Sequence, residues 1–154
     1  RSIIMLIRKL EFVDVEEASR LVSLNFTEAL GEEAKLEMKS CFINLTNRPV
    51  FFVAEEHGEI KGCIGFGHGW IDYNILGIFW VCVHPDYQGN KIGTKMVQFV
   101  INYIKENFPK VKSIILTTKT PDYYIKRFNF NVIESYSTGT KLLSLKIESS
   151  LKKS

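Results

Sequence analysis

The run Val81-Cys82-Val83-His84-Pro85-Asp86-Tyr87-Gln88-Gly89-Asn90-Lys91-Ile92-Gly93-Thr94 decides how this chain is read. It closes an apolar segment, Ile75–Val83, rich in β-branched and aromatic residues and too short to span a bilayer. Such a segment reads as a strand buried on both faces. His84-Pro85-Asp86 ends it, since proline cannot donate to a ladder and aspartate favours turns. Ile92, Met96, Phe99, Val100, Tyr103 and Ile104 then fall at helical spacing, and Pro109 stops the pattern at Phe108.

A buried strand, a turn and a glycine-bearing helix start make an anion site from elementary parts. The first N–H groups of a helix lack internal partners and carry the positive end of its dipole. Gly89 and Gly93 have no Cβ, so a phosphate can approach the backbone there. An ordinary strand-to-helix turn carries glycine too, and that reading stays open at this point.

The same residues resemble the acyl-CoA-binding motif of the GNAT superfamily of N-acetyltransferases. That motif reads Arg or Gln, two residues, Gly, one residue, then Gly or Ala. Gln88 and Gly93 match its ends, and Val83-His84-Pro85 matches the usual lead-in; Lys91 stands at the middle glycine position. The resemblance implies an α/β (α+β) fold over residues 1–154 as a single domain. Its core is a mixed central sheet of about seven strands with about four helices on its faces. It also implies acetyl-CoA or CoA as acyl donor, with Val81, Cys82, Val83, Gln88, Gly89, Asn90, Lys91, Ile92, Gly93 and Thr94 as the cofactor-binding residues.

Composition fits one domain: 154 residues can bury about 70% of the surface of the unfolded chain. No secretory leader and no spanning helix is read, so a cytoplasmic location is expected. Arg1–Ile4 precede Met5, a natural start, and read as upstream residues. Cys41, Cys63 and Cys82 are widely spaced and odd in number, and read as small buried hydrophobes rather than zinc ligands or a disulfide framework. Residues 1–84 carry 8 Lys+Arg against 12 Asp+Glu, and residues 85–154 carry 12 against 5. An acidic half and a basic half suit a cationic amine on one side and a polyanionic donor on the other; charge scattered over solvated faces is the alternative. No Lys/Arg run is interleaved with aromatics, so no nucleic-acid partner is expected. No membrane partner is expected either, and a homodimer is left open.

Along the chain, Leu6–Phe12 reads as a short strand. Asp14 with Glu17 forms a capping-box-like start to a helix bearing Val15, Ala18, Leu21, Val22 and Phe26 on one face. A second helix is expected over Glu32–Leu45, with a junction at Gly31 and an end at Asn47-Arg48-Pro49. Val50–Glu55 and Ile60–Trp70 read as a hairpin around Glu56-His57-Gly58-Glu59. Gly65, Gly67 and Gly69 share one face of its second strand, which marks a bulge or a close neighbour. His68 reads as a packed strand residue with no metal-ligand spacing around it. Asp72-Tyr73-Asn74 turns into the central strand. Val111–Thr117 is the next strand, and Thr120-Pro121-Asp122 opens a short helix. That helix ends at Phe128-Asn129-Phe130, where Asn129 replaces the family's glycine and is the best substitute if φ must be positive. Asn131–Tyr136 and Thr140–Ile147 read as a closing hairpin.

The resemblance also implies a mechanism. Backbone groups of Val81–Val83 pair with the pantetheine amides like an added strand. Amides from Gly89 to Thr94 hold the pyrophosphate, and an N–H near Cys82 or Val83 polarises the thioester carbonyl. The acidic helices before residue 46 line the acceptor pocket. The family's thiolate-protonating tyrosine falls on Ile125, which leaves its neighbour Tyr124 as the candidate acid. The family's glutamate three residues before Val83 falls on Trp80, which leaves Glu28, and Glu55, as candidate bases. The expected function is N-acetyl transfer from acetyl-CoA to an amine by direct attack, a small molecule rather than a protein N-terminus. A catalytically impaired CoA-binding regulatory module is the alternative, and no metal is expected.

Overall fold

The computed structural model describes residues 5–43, 49–69 and 71–148. Arg1–Ile4, the expected end of the second helix within residues 44–48, and Trp70 lie outside the described residues. The strands are β1 (Leu6–Lys9), β2 (Val50–Glu56), β3 (Glu59–Gly67), β4 (Ile75–Val83), β5 (Ser113–Thr118), β6 (Asn131–Ser135) and β7 (Lys141–Lys146). The helices are α1 (Val15–Asn25), α2 (Glu28–Ser40), α3 (Ile92–Asn107) and α4 (Pro121–Phe128). All seven strands join one mixed sheet in the order β1-β2-β3-β4-β5-β7-β6, in which only β4 and β5 run parallel. The expected fold class is what the structure shows.

The period-2 pattern of β2 builds both halves of the core. Phe51 and Val53 face a cluster with Ala18, Leu21, Val22, Ala34 and Met38 of α1 and α2. Phe52 and Ala54 face the opposite cluster with Met96, Val97, Val100 and Ile104 of α3. β2 and β3 are joined by His57 (φ 56°) and Gly58 (φ 77°), and two positive φ values make the turn whose twist matches the strands. Gly65 has a specific neighbour. A Cβ there would lie 2.6 Å from Phe51 Cε1 and 2.7 Å from Phe79 Cε1, so only glycine lets these two rings meet over the strand.

Several local expectations are corrected. The first strand ends at Lys9, and a short 3-10 turn, Phe12–Asp14, precedes α1. Asp14 does not cap α1 with its side chain; it accepts instead from the Glu11 N–H at 2.8 Å and from Arg8. Glu17 accepts from the Ile60 N–H at 3.0 Å. The second helix starts at Glu28 because Thr27 Oγ1 accepts from the Leu30 N–H. Gly31 therefore lies inside α2, not at a junction. A Cβ there would be 1.8 Å from Ser23 Oγ, so the absence of a side chain lets α1 and α2 approach closely at this point. The central strand is buried at Leu76, Ile78 and Cys82 and only half-buried between them. Cys63 and Cys82 are buried as expected, whereas Cys41 is half-buried.

Arg8 joins the first strand to both neighbours, donating to Asp14 Oδ2 at 2.7 Å and Glu55 Oε1 at 2.7 Å. Arg8 holds the Asp14 carboxyl below its usual range, against the opposing effect of burial. A carboxyl depressed in the folded state stabilises the fold above the unfolded value near 3.8, and that contribution is lost as pH falls through the folded value. Asp14→Asn is therefore expected to cost about 1.5–3 kcal/mol at pH 7. The gap between parent and variant should close as urea midpoints are followed from pH 5 towards pH 2. A gap that stays constant over that range would show that the charge contributes nothing.

Candidate functional site

The site grows from the way β4 loses its neighbour. On one side β4 pairs with β3 from Gly67↔Gly77 to Gly62↔Val83. On the other side it pairs with β5 only at Ile75, Leu76 and Gly77, opposite Ser113, Ile114 and Ile115. β5 turns away to continue with β7 as far as Thr118. From Ile78 to Val83 the edge of β4 towards β5 is thus left without a strand.

The divergence has a local cause. Between the pairs Cys63↔Cys82 and Gly65↔Phe79, β4 carries one more residue than β3, a β-bulge. Trp80 within it has φ 50°, a conformation that costs a bulky residue on the order of 1–3 kcal/mol. The bulge turns Phe79 and Trp80 together onto the α1–α2 face of the sheet, where both pack against the second core cluster.

At the end of β4 the chain is pinned by side-chain amides. Val83 O accepts from Asn25 Nδ2 at 3.1 Å and from Gln88 Nε2 at 3.1 Å, and Gln88 Nε2 also reaches Asn25 Oδ1 at 3.3 Å. The Gln88 side chain therefore turns back to the strand and fixes the turn. The Val83 carbonyl is already engaged and Cys82 pairs with Cys63 of β3, which leaves Val81 and the Val83 N–H as the groups of this stretch open to an added strand.

The loop then rises into α3 through Gly89 (φ 91°) and Lys91 (φ 66°). Lys91 is the residue before the helix, in the left-handed conformation that explains a glycine preference at that position. No side chain caps α3, and its first turn carries no acidic residue. The N–H groups of Ile92, Gly93 and Thr94 therefore converge uncapped at the positive end of a 16-residue helix. Such donors fit a phosphate. Asn90 and Lys91 are exposed beside them, and Ile92 is buried.

Lys91→Gly should relieve the left-handed strain by up to about 1 kcal/mol, raising the melting temperature. It should also weaken an anion at this site by about 2- to 5-fold, since an exposed cation contributes little. An effect of the variant on CoA affinity that is the same at 20 mM and 500 mM salt would rule out the charge.

Across the cleft stands α4. Tyr123 hydroxyl lies 2.6 Å from Thr94 Oγ1 and 3.7 Å from where a Gly93 Cβ would be. Tyr123 thus stands at the anion loop, a role sequence spacing did not suggest. Tyr124 is buried, with ring contacts to Phe128 and Phe130. Burial, then the nearby Tyr123 and Cys82, push its phenol up to about 12. Its hydroxyl has no hydrogen-bond partner among the described residues. Ile125 is half-buried one step further round the helix. Asn129 ends α4 with φ 67°, the positive value expected of it.

Glu28 lies exposed in the first turn of α2, and Glu55 is engaged by Arg8. A carboxylate that faces a cleft is Glu37, which accepts from the Trp80 indole N–H. It was one of many acids on an acidic helix, and nothing in its spacing set it apart. Among the described residues no cluster of His, Cys, Asp or Glu could hold a metal, and His68 packs edge-on against Tyr73 and Phe108.

The sequence matches the model of the acetyltransferase (GNAT) family over residues 15–130. The chain belongs to that family. Solved structures carry the likeness of fold over nearly the whole GNAT domain. A GNAT-family protein from Desulfovibrio desulfuricans superposes with a TM-score of 0.82 at 14% identity, covering 93% of this chain and 99% of its own. The PaiA N-acetyltransferase of Thermoplasma acidophilum, in complex with coenzyme A, gives 0.69 at 20% identity, covering 94% and 99%. An aminoglycoside 6′-N-acetyltransferase complexed with coenzyme A gives 0.75 at 14% identity, covering 96% and 99%. A search of curated proteins finds no match. Among the described residues no helix is long and apolar enough to cross a membrane.

Proposed function

We propose that this GNAT protein is an N-acetyltransferase that moves an acetyl group from acetyl-CoA directly to the nitrogen of a small-molecule amine. One observation carries the reading: the uncapped, acid-free start of α3 opens beside the unpaired edge of β4. The amides of Gly89–Thr94 would hold the pyrophosphate, and main-chain groups of Val81 and the Val83 N–H would pair with the pantetheine amides. Two similar structures are acetyltransferases complexed with coenzyme A, which supports the donor, and one of these acts on aminoglycosides, which supports a small acceptor.

The donor supplies an acetyl thioester. The amine lone pair forms the C–N bond, and the electron pair of the C–S bond leaves with sulfur. A main-chain N–H at the β4 bulge stabilises charge on the carbonyl oxygen. The departing thiolate takes one proton, for which Tyr124 is the donor we propose: a phenol is protonated at neutral pH, and burial pushes this one further up, to about 12. The nitrogen gives up two protons to water, one before attack and one after it, and one of them returns through water to Tyr124, so the balance is amide, free thiol and one proton released. Cys63 takes no covalent part: hydrogen bonding with Cys82 and burial push its thiol up and keep it neutral.

Calorimetry with CoA, followed by thiol release from acetyl-CoA over a panel of amines, tests this reading. CoA binding without thiol release from any amine would favour the regulatory-module reading, which Ile125 at the tyrosine position supports. No CoA binding would end both.

A further inference from the structure

We propose that Glu37 binds the ammonium group of the acceptor, and that Trp80 positions it for that task. This inference rests on the acetyl-transfer reading for what becomes of the amine. A cleft of about 360 Å³ lies between α2 and the β4 bulge, lined by Glu37, Ser40, Pro49, Phe79 and Trp80. Among the described residues Glu37 is the single charged one in that lining. One of its oxygens accepts from the Trp80 indole; among the described residues the other has no partner, and no Lys or Arg pairs with Glu37. The other acids of the helix are spent or solvated: Lys35 engages Glu32, and Glu28 and Glu33 are exposed.

A half-buried carboxylate beside aromatic walls is costly unless a cation reaches it. The cleft offers that cation a good seat. Trp80 and Phe79 present ring surface that attracts an ammonium, and Phe26 braces Trp80 edge-on with centroids 5.9 Å apart. The positive φ at Trp80 is what brings the indole to this face. Trp80 thus does not leave the site without an acid; its N–H holds one contributed by α2. One carboxylate among apolar walls matches a single ammonium on an apolar body, an arylalkylamine, better than a polycation.

The test titrates 2-phenylethylamine calorimetrically into the protein with and without CoA, so that failure to bind CoA overturns the functional reading separately. Parent should bind 2-phenylethylamine at least 10-fold more tightly than spermidine. Glu37→Gln should lose 10-fold or more for the amine, the loss expected for one charge-assisted contact. It should leave CoA affinity unchanged, and should not alter binding of the neutral analogue 2-phenylethanol. Trp80→Phe should weaken the amine several-fold in parent but by less in the Glu37→Gln background, because part of its effect acts through the Glu37 contact. The proposal is overturned if Glu37→Gln binds the amine as tightly as parent, if it weakens amine and alcohol equally, or if spermidine is preferred.

Discussion

Gly93→Glu is expected to weaken CoA binding by about 100-fold or more while the protein stays folded. A Cβ at this position would meet Val83 Cγ2 at 3.5 Å and the Tyr123 hydroxyl at 3.7 Å, ordinary contact distances. The fold has room for a side chain there, so Gly93→Ala should bind nearly as parent. Glutamate is different, because its carboxylate stands among the uncapped N–H groups at the head of α3. It would occupy the donors that an incoming phosphate needs, and like charge against the pyrophosphate costs several kcal/mol. Calorimetry with CoA, alongside thermal melts of both variants, checks the effect. Unchanged affinity in a folded Gly93→Glu protein would put the cofactor elsewhere.

Tyr124→Phe is expected to lower turnover by about 100-fold or more with CoA affinity nearly intact, the size of a lost general acid. The ring contacts to Phe128 and Phe130 survive the change, so packing should persist. Tyr123→Phe is the informative partner. It removes the contact with Thr94 Oγ1 at the anion loop and should act mainly on donor affinity. Single-turnover rates with saturating acetyl-CoA separate the two. Parental turnover in Tyr124→Phe would mean that the thiolate takes its proton from water.

The order of elements was legible because each has a strong local cause. The apolar run of β4, Pro85, and the helical spacing from Ile92 to Ile104 all point to the same strand–turn–helix unit. Asn129 was legible for a similar reason, since few residues other than glycine tolerate φ 67°. The start of α2 was misplaced because Gly31 looked like a breaker, whereas it is a contact with Ser23 that only tertiary packing reveals. The proposed donor site lies in one loop, whose pieces stand together in the sequence. The proposed acceptor site does not. Glu37 and Trp80 lie 43 residues apart and meet only because a bulge in β4 rotates the indole towards α2. Asn25 was hidden in the same way, reaching Val83 O from 58 residues away.

The three residue pairs between β4 and β5 make the sheet two leaves stitched by a short seam. One leaf is β1 to β4 and the other is β5, β7 and β6, each held internally by antiparallel ladders. A ligand that lies along the free edge of β4 acts as a missing strand, so its binding energy adds to the cohesion of the sheet itself. Amide protons near the β4 bulge should then exchange with solvent faster than those at Ile75–Gly77, and a bound donor should slow the former selectively. The donor would serve as the eighth strand of the fold that consumes it.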